Sequence, residues 1–301
     1  MSVEPRRASI SAGEIAYIDA GEGPGVLLLH GFPTSSFLWR REIPLLAARM
    51  RVIAPDLIGY GQSDQPPEAE LSVTGQARHV GELLAHLGLD RVAAVGHGFG
   101  GGVAQRLALD GAASALVLID SIAFDAWPSG ATRDLQAVPP AAGEEAAEAE
   151  AIVSSWLARA VSKRQLGPAE TAAYLEPWRR DPGALRRALA GLDGLGLAGT
   201  ETALAALDLP ALVLWGEEDP FLPAALAERL GEALDGSMVA LLPGCGHLVG
   251  EDAPETVGSL LYQFLRSRYL GEGHGHPAGG PVPVFLERPP DHVLRSLDPD
   301  D

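Results

Sequence analysis

Short apolar runs that alternate with segments of helical period constrain this chain most. After a hairpin expected between Ser9 and Asp19, the runs are Val26 to Leu29, Arg51 to Ala54, Val92 to Val95, Leu116 to Ile119, Ala211 to Trp215 and Val239 to Leu242. Most end in Gly, Pro, Asp or His. That pattern predicts βαβ units and an α/β fold with a mostly parallel central sheet. The stretch Val73 to Leu87, with Leu83, Leu84 and Leu87 on one face, reads as a crossover helix. In such sheets ligands bind at the carboxyl ends of the strands, where the reactive residue types gather here. The 301 residues, 47% of them hydrophobic, suffice for one large domain, or for one domain with an insertion.

Between Ser121 and Leu207 the strand rhythm stops. The segment is rich in Ala, Glu, Arg and Pro, and carries Trp127, Trp156, Tyr174 and Trp178, three of the chain's five tryptophans among them. A helical insertion is expected, its aromatics either covering a pocket or docking the insertion on the main domain. From Gly271 onward, GEGHGHPAGGPVPVF has no period and reads as a flexible extension, in which His274 and His276 have too few neighbouring ligands for a metal site.

The formal net charge is −18, from 40 acidic and 22 basic side chains. Such a chain repels phosphate backbones and anionic lipid heads, so nucleic acid and membrane are poor partners. Part of the excess is local, in the Glu144 to Glu150 run and the last four residues. Cys245 is the only cysteine, which excludes an intrachain disulfide and favours a reducing compartment. With no signal-peptide pattern and no apolar run of membrane-spanning length, a soluble cytoplasmic protein is expected, without metal or cofactor. Nothing in the sequence supports homo-oligomerisation.

The most specific stretches are LLLHGFPTSSFLWR at 27–40 and APDLIGYGQSD at 54–64. Their His-Gly-x-Pro turn and Pro-Asp-Leu-x-Gly-x-Gly-x-Ser loop resemble the α/β-hydrolase fold, and within it the branch of haloalkane dehalogenases and epoxide hydrolases. The likeness runs from about residue 10 to 120 and resumes at 208 to 268. It implies a core domain over 1–120 and 208–270, a helical cap over 121–207 and an extension over 271–301.

In that family a nucleophile elbow follows, a strand-turn-helix that presents the attacking side chain. Here it reads Gly96-His97-Gly98-Phe99-Gly100, and Gly98, with no side chain, holds the nucleophile position. Among the neighbouring positions His97 alone has nucleophilic capacity, and using it would crowd the turn. The resemblance assigns Asp219 as the triad acid and His247 as the general base, with Asp120, after the run Leu116 to Ile119, as an alternative acid. It assigns the backbone N–H groups of Phe32 and Phe99 as oxyanion donors. The Asn and Trp with which dehalogenases hold the leaving halide are absent, Phe32 and Phe99 standing there, so carbon–halogen cleavage by that route is the least expected activity. Cys245, close to His247, reads as a small buried hydrophobe. Trp127, Trp156, Tyr174 and Trp178 are candidates for substrate binding.

Three functions are consistent with these residues. One is hydrolysis or proton transfer on a small, largely apolar, ester- or epoxide-like substrate by a His247/Asp219 dyad. Another is a non-catalytic pocket for a small apolar molecule. The third is an ordinary hydrolase whose Asp or Ser nucleophile has been replaced by Gly98.

Overall fold

The structure, a computed structural model, describes residues 4–138, 143–193 and 196–271. The region assigned to the extension, with His274 and His276, lies outside them apart from Gly271. Eight strands form one sheet: β1 (Arg6–Ile10), β2 (Gly13–Ala20), β3 (Gly25–Leu29), β4 (Arg51–Pro55), β5 (Val92–His97), β6 (Ala113–Ile119), β7 (Ala211–Gly216) and β8 (Met238–Leu242). Their spatial order is β1-β2-β4-β3-β5-β6-β7-β8. The pairs β1·β2 and β2·β4 are antiparallel and the remaining pairs parallel. Every residue of β3, β5 and β7 is buried, which is why these runs are continuously apolar rather than alternating.

Helices α1 (Glu42–Leu46), α2 (Val73–His86) and α3 (Phe99–Leu109) belong to the first part of the sheet. Between β6 and β7 come α4 (Gly130–Ala137), α5 (Glu145–Ala160), α6 (Pro168–Arg180), α7 (Pro182–Gly191) and α8 (Glu201–Ala205). The chain closes with α9 (Ala225–Ala233), α10 (Val249–Asp252) and α11 (Pro254–Phe264). The crossover α2 starts where the Ser72 hydroxyl accepts from Gly75 N–H at 3.1 Å, buries Val73, Ala77, Val80, Leu83 and Leu84, and ends before Gly88 at φ 67°. No helix among the described residues is long and apolar enough to cross a membrane.

The inserted helices are tied to the sheet domain by charge. Glu251 on α10 is 1% exposed and accepts from Arg40 at 2.6 and 2.9 Å, Arg41 at 2.8 Å, Arg164 at 3.0 Å and the Tyr174 hydroxyl at 2.6 Å. Burial alone would push its carboxyl up, but the hydrogen bonds from Arg40 and Tyr174 hold it below the ordinary value. Glu170 on α6 adds a second anion, bonded to Arg40 at 3.0 Å and Arg41 at 2.8 Å.

Beside this cluster Glu42 is buried with both carboxyl oxygens unpartnered, and burial, aided by Glu251, pushes its pKa up to about 7. The folded state therefore binds more protons than the unfolded chain above about pH 4.5, and stability falls as pH rises from there through 7. Glu42→Gln is expected to leave stability nearly unchanged at pH 4.5 and to raise it at pH 8 by about 3 kcal/mol, a shift read from paired urea titrations. Equal effects at both pH values would show that Glu42 ionises in the fold as it does in water.

Candidate active site

Strand β5 ends in the turn that sequence analysis singled out. Gly98 has φ 54° and ψ −119°, a conformation open to a residue without Cβ, and α3 starts immediately after it. Gly100 permits the tight return, since a Cβ there would lie 2.4 Å from the carbonyl oxygens of Leu29 and His30. A Cβ on Gly98 would instead point at the base, in tight contact 3.3 Å from His247 Nε2 and 3.7 Å from Gly31 Cα.

His247 lies in the loop between β8 and α10, and Asp219 follows β7. His247 Nδ1 lies 2.7 Å from Asp219 Oδ2, and both side chains are almost fully buried. The second Asp219 oxygen accepts from Phe221 N–H at 2.8 Å and Leu222 N–H at 3.1 Å, so the carboxylate is fixed on both sides. This geometry orients the imidazole with Nε2 toward the space above Gly98.

Asp120 makes no bond to His247. Its Oδ1 accepts from Gly216 N–H at 2.8 Å, while Oδ2 is buried without a partner. Burial, with repulsion from Asp219, pushes Asp120 well above the usual carboxylate range. Asp120, Asp219 and His247 each bring one ligand atom within 4.8 Å of the others. They are a poor fit for a metal, because binding would break the His247–Asp219 bond and require Asp120 to ionise.

His97 is corrected as an attacking group. Its Nε2 lies 2.9 Å from the carbonyl oxygen of His247, and burial lowers its pKa well below the ordinary value, with the neighbouring His247 adding to the shift. The neutral ring donates from Nε2 and supports the backbone of the His247 loop from behind. Cys245 is a buried free thiol whose pKa burial raises, and it does not line the cavity.

Phe32 and Phe99 flank the same space. The N–H of Phe32 has no acceptor among the described residues, and that of Phe99, which opens α3, lies before the first intrahelical bond. A Cβ on Gly31 would come 3.3 Å from Phe99 N, which shows how closely the two turns approach.

A cavity of about 550 Å³ opens above these groups, walled by Phe32, Gly98, Phe99, Phe221 and His247 below and by Trp127, Leu135, Ile152, Trp156, Leu189 and Leu192 from the inserted segment. Phe221 was not foreseen. It stacks on Trp156 at 4.9 Å between centroids and meets His247 edge-on at 5.4 Å, covering the base with an apolar roof. The one signal for it was its place two residues after Asp219.

Of the four aromatic candidates, Trp127 and Trp156 line the cavity and the other two do not. Tyr174 is drawn into the arginine cluster by Glu251, and Trp178 donates from Nε1 to the Pro33 carbonyl at 3.0 Å while packing on Phe32 and Tyr60. Both dock the inserted helices, because a buried hydroxyl or indole N–H settles where a partner exists.

Residues 26–259 match the family described as "Alpha/beta hydrolase family". The chain is 30% identical over 282 residues to haloalkane dehalogenase 2 of Mycobacterium tuberculosis, across 86% of this chain and 94% of that protein. Over a shorter stretch of 104 residues it is 44% identical to soluble epoxide hydrolase of a Corynebacterium species, covering 35% of this chain and 36% of the relative. Among solved structures it is similar to an alpha/beta hydrolase fold protein from Burkholderia ambifaria, with 32% identity, a TM-score of 0.76 and coverage of 85% of this chain and 96% of the other.

Proposed function

The chain belongs to the alpha/beta hydrolase family, and from that footing we propose that it hydrolyses a small, largely apolar, ester- or epoxide-like substrate by general-base chemistry. His247 held by Asp219 activates water, Gly98 leaving the side-chain nucleophile position empty, and the helices of 121–207 act as the cap. The observation that carries this reading is the 2.7 Å His247–Asp219 bond beneath an apolar cavity, with Nε2 directed at the space a nucleophile would fill.

For an ester, water above Gly98 gives a proton to His247 Nε2 as its oxygen bonds to the carbonyl carbon. Asp219 stabilises the imidazolium that forms. The carbonyl oxygen becomes an oxyanion facing the N–H groups of Phe99 and Phe32, at the N-terminus of α3. Collapse expels the alkoxide, which takes the proton back from His247. Phe32 and Phe99 offer no side-chain donor to a departing halide, which supports esters and epoxides over haloalkanes as substrates. The partner is a small molecule, without nucleic acid or membrane, and the lone cysteine supports a cytoplasmic setting.

Turnover of a panel of short esters and epoxides tests the dyad. His247→Ala is expected to lower kcat/KM by about 10²- to 10⁴-fold, with KM little changed. Turnover that survives this change intact would overturn the reading.

A second reading, a hydrolase whose nucleophile has been replaced, is supported by the direction in which the elbow points. The nearest atom to a Cβ on Gly98 is the imidazole nitrogen that would activate a hydroxyl.

A further inference from the structure

Among the cavity's lining residues is a cation without a counter-ion. Arg159 lies on α5 three residues after Trp156, on the same helical face. Its guanidinium carbon sits 5.1 Å over the centroid of Phe221, whose ring in turn meets His247. Among the described residues it makes that cation–π contact and no ion pair. Most other arginines of the inserted segment are ion-paired, Arg164 with Glu170 and Glu251, Arg179 with Glu150, Arg186 with Glu148 and Arg187 with Asp181, while Arg133 donates to the Pro128 carbonyl. Arg159 is exposed to solvent as well as lining the cavity, and although the chain carries a net charge of −18 with four glutamates between 144 and 150 leading into the same helix, none of them pairs with it. Asp134, a carboxylate that also lines the cavity, is exposed and makes no ion pair with it.

Trp127 lines the same cavity with its apolar ring, its Nε1–H being closed off from solvent, so the arginine is the group that offers a charge to a bound molecule.

We infer that the substrate carries a carboxylate at the far end of its apolar body and that Arg159 binds it. The stack of Phe221 on Trp156 receives the apolar body, and the breadth of the Phe221 ring separates the guanidinium from the imidazole. The planar fork of Arg159, held over Phe221, suits a carboxylate. The overall negative field disfavours anions at long range, so a carboxylate is retained only where a local cation meets it. This inference deepens the hydrolase reading and rests on it for the turnover arm alone; the binding arm stands without catalysis.

The binding arm is calorimetric titration of the full chain with 4-phenylbutyrate and its uncharged amide. The acid is expected to bind tighter, and Arg159→Gln to weaken the acid by about tenfold while leaving the amide unchanged, with Arg159→Lys intermediate. Equal affinity for acid and amide, or an Arg159→Gln loss shared by both, overturns the inference. The turnover arm compares monomethyl adipate with methyl hexanoate. Arg159→Gln is expected to raise KM about tenfold for the first only, with kcat unchanged. If both esters are hydrolysed with no preference that depends on Arg159, the inference fails and the dyad stands. If neither is hydrolysed while the acid still needs Arg159 to bind, the dyad fails and the carboxylate site stands.

Discussion

Gly98→Ser is expected to raise turnover of short esters by on the order of 10³-fold or more, the largest effect of any single change. The geometry is already in place. The new Cβ would start 3.3 Å from His247 Nε2, so the hydroxyl lies within reach of the base that must take its proton, beside the N–H groups of Phe32 and Phe99. The reaction would then pass through an acyl-enzyme, visible as a burst in p-nitrophenyl ester hydrolysis and as a mass increment on the intact protein. For epoxides the matching change is Gly98→Asp, because a carboxylate attacks saturated carbon. A serine variant with no burst, no adduct and no gain in rate would show that the elbow does not aim its side chain at the base, and would remove the replaced-nucleophile reading.

The second large effect concerns stability. Glu251→Ala is expected to destabilise the fold by about 3–5 kcal/mol, because Arg40, Arg41 and Arg164 converge on one buried carboxylate and lose it together. Natural domains have only about 5–15 kcal/mol in hand, so the urea midpoint should fall steeply. Glu251→Gln keeps an acceptor for the Tyr174 hydroxyl but not the charge, and should lie between the two. Since the three arginines and Tyr174 come from both sides of the seam, the inserted helices should become sensitive to proteases before the sheet does. A loss below about 1 kcal/mol would mean that Glu170 alone neutralises the cluster.

The strands were legible because their cause is local. A buried parallel strand must be apolar on both faces, and each run found in the sequence lies in a strand, with ends that differ by at most three residues. Gly98, His247 and Asp219 were legible as positions because they stand at the ends of such runs, and the fold brings them together. The roles of Tyr174 and Trp178 were not. Whether an aromatic faces a cavity or a polar partner depends on what lies opposite, and here the partners are Glu251 and Pro33, distant in sequence. The seam was hidden for the same reason: Arg40 and Glu251 are 211 residues apart, and the 27–40 stretch that Arg40 closes gives no sign of its partner. Asp219 was preferred to Asp120 from the sequence by its place in the family pattern, although both follow strands. In the structure one hydrogen bond separates them, His247 Nδ1 to Asp219 Oδ2, while Asp120 accepts from Gly216 N–H instead.

The backbone at Gly98 sets melting temperature against chemistry. A residue with a Cβ held at φ 54° carries strain of about 1–3 kcal/mol that glycine does not. At roughly 2–4 °C per kcal/mol for a large domain, every variant that regains a nucleophile should melt several degrees below the parent. Selection for heat resistance would therefore keep this glycine, and selection for fast turnover would remove it.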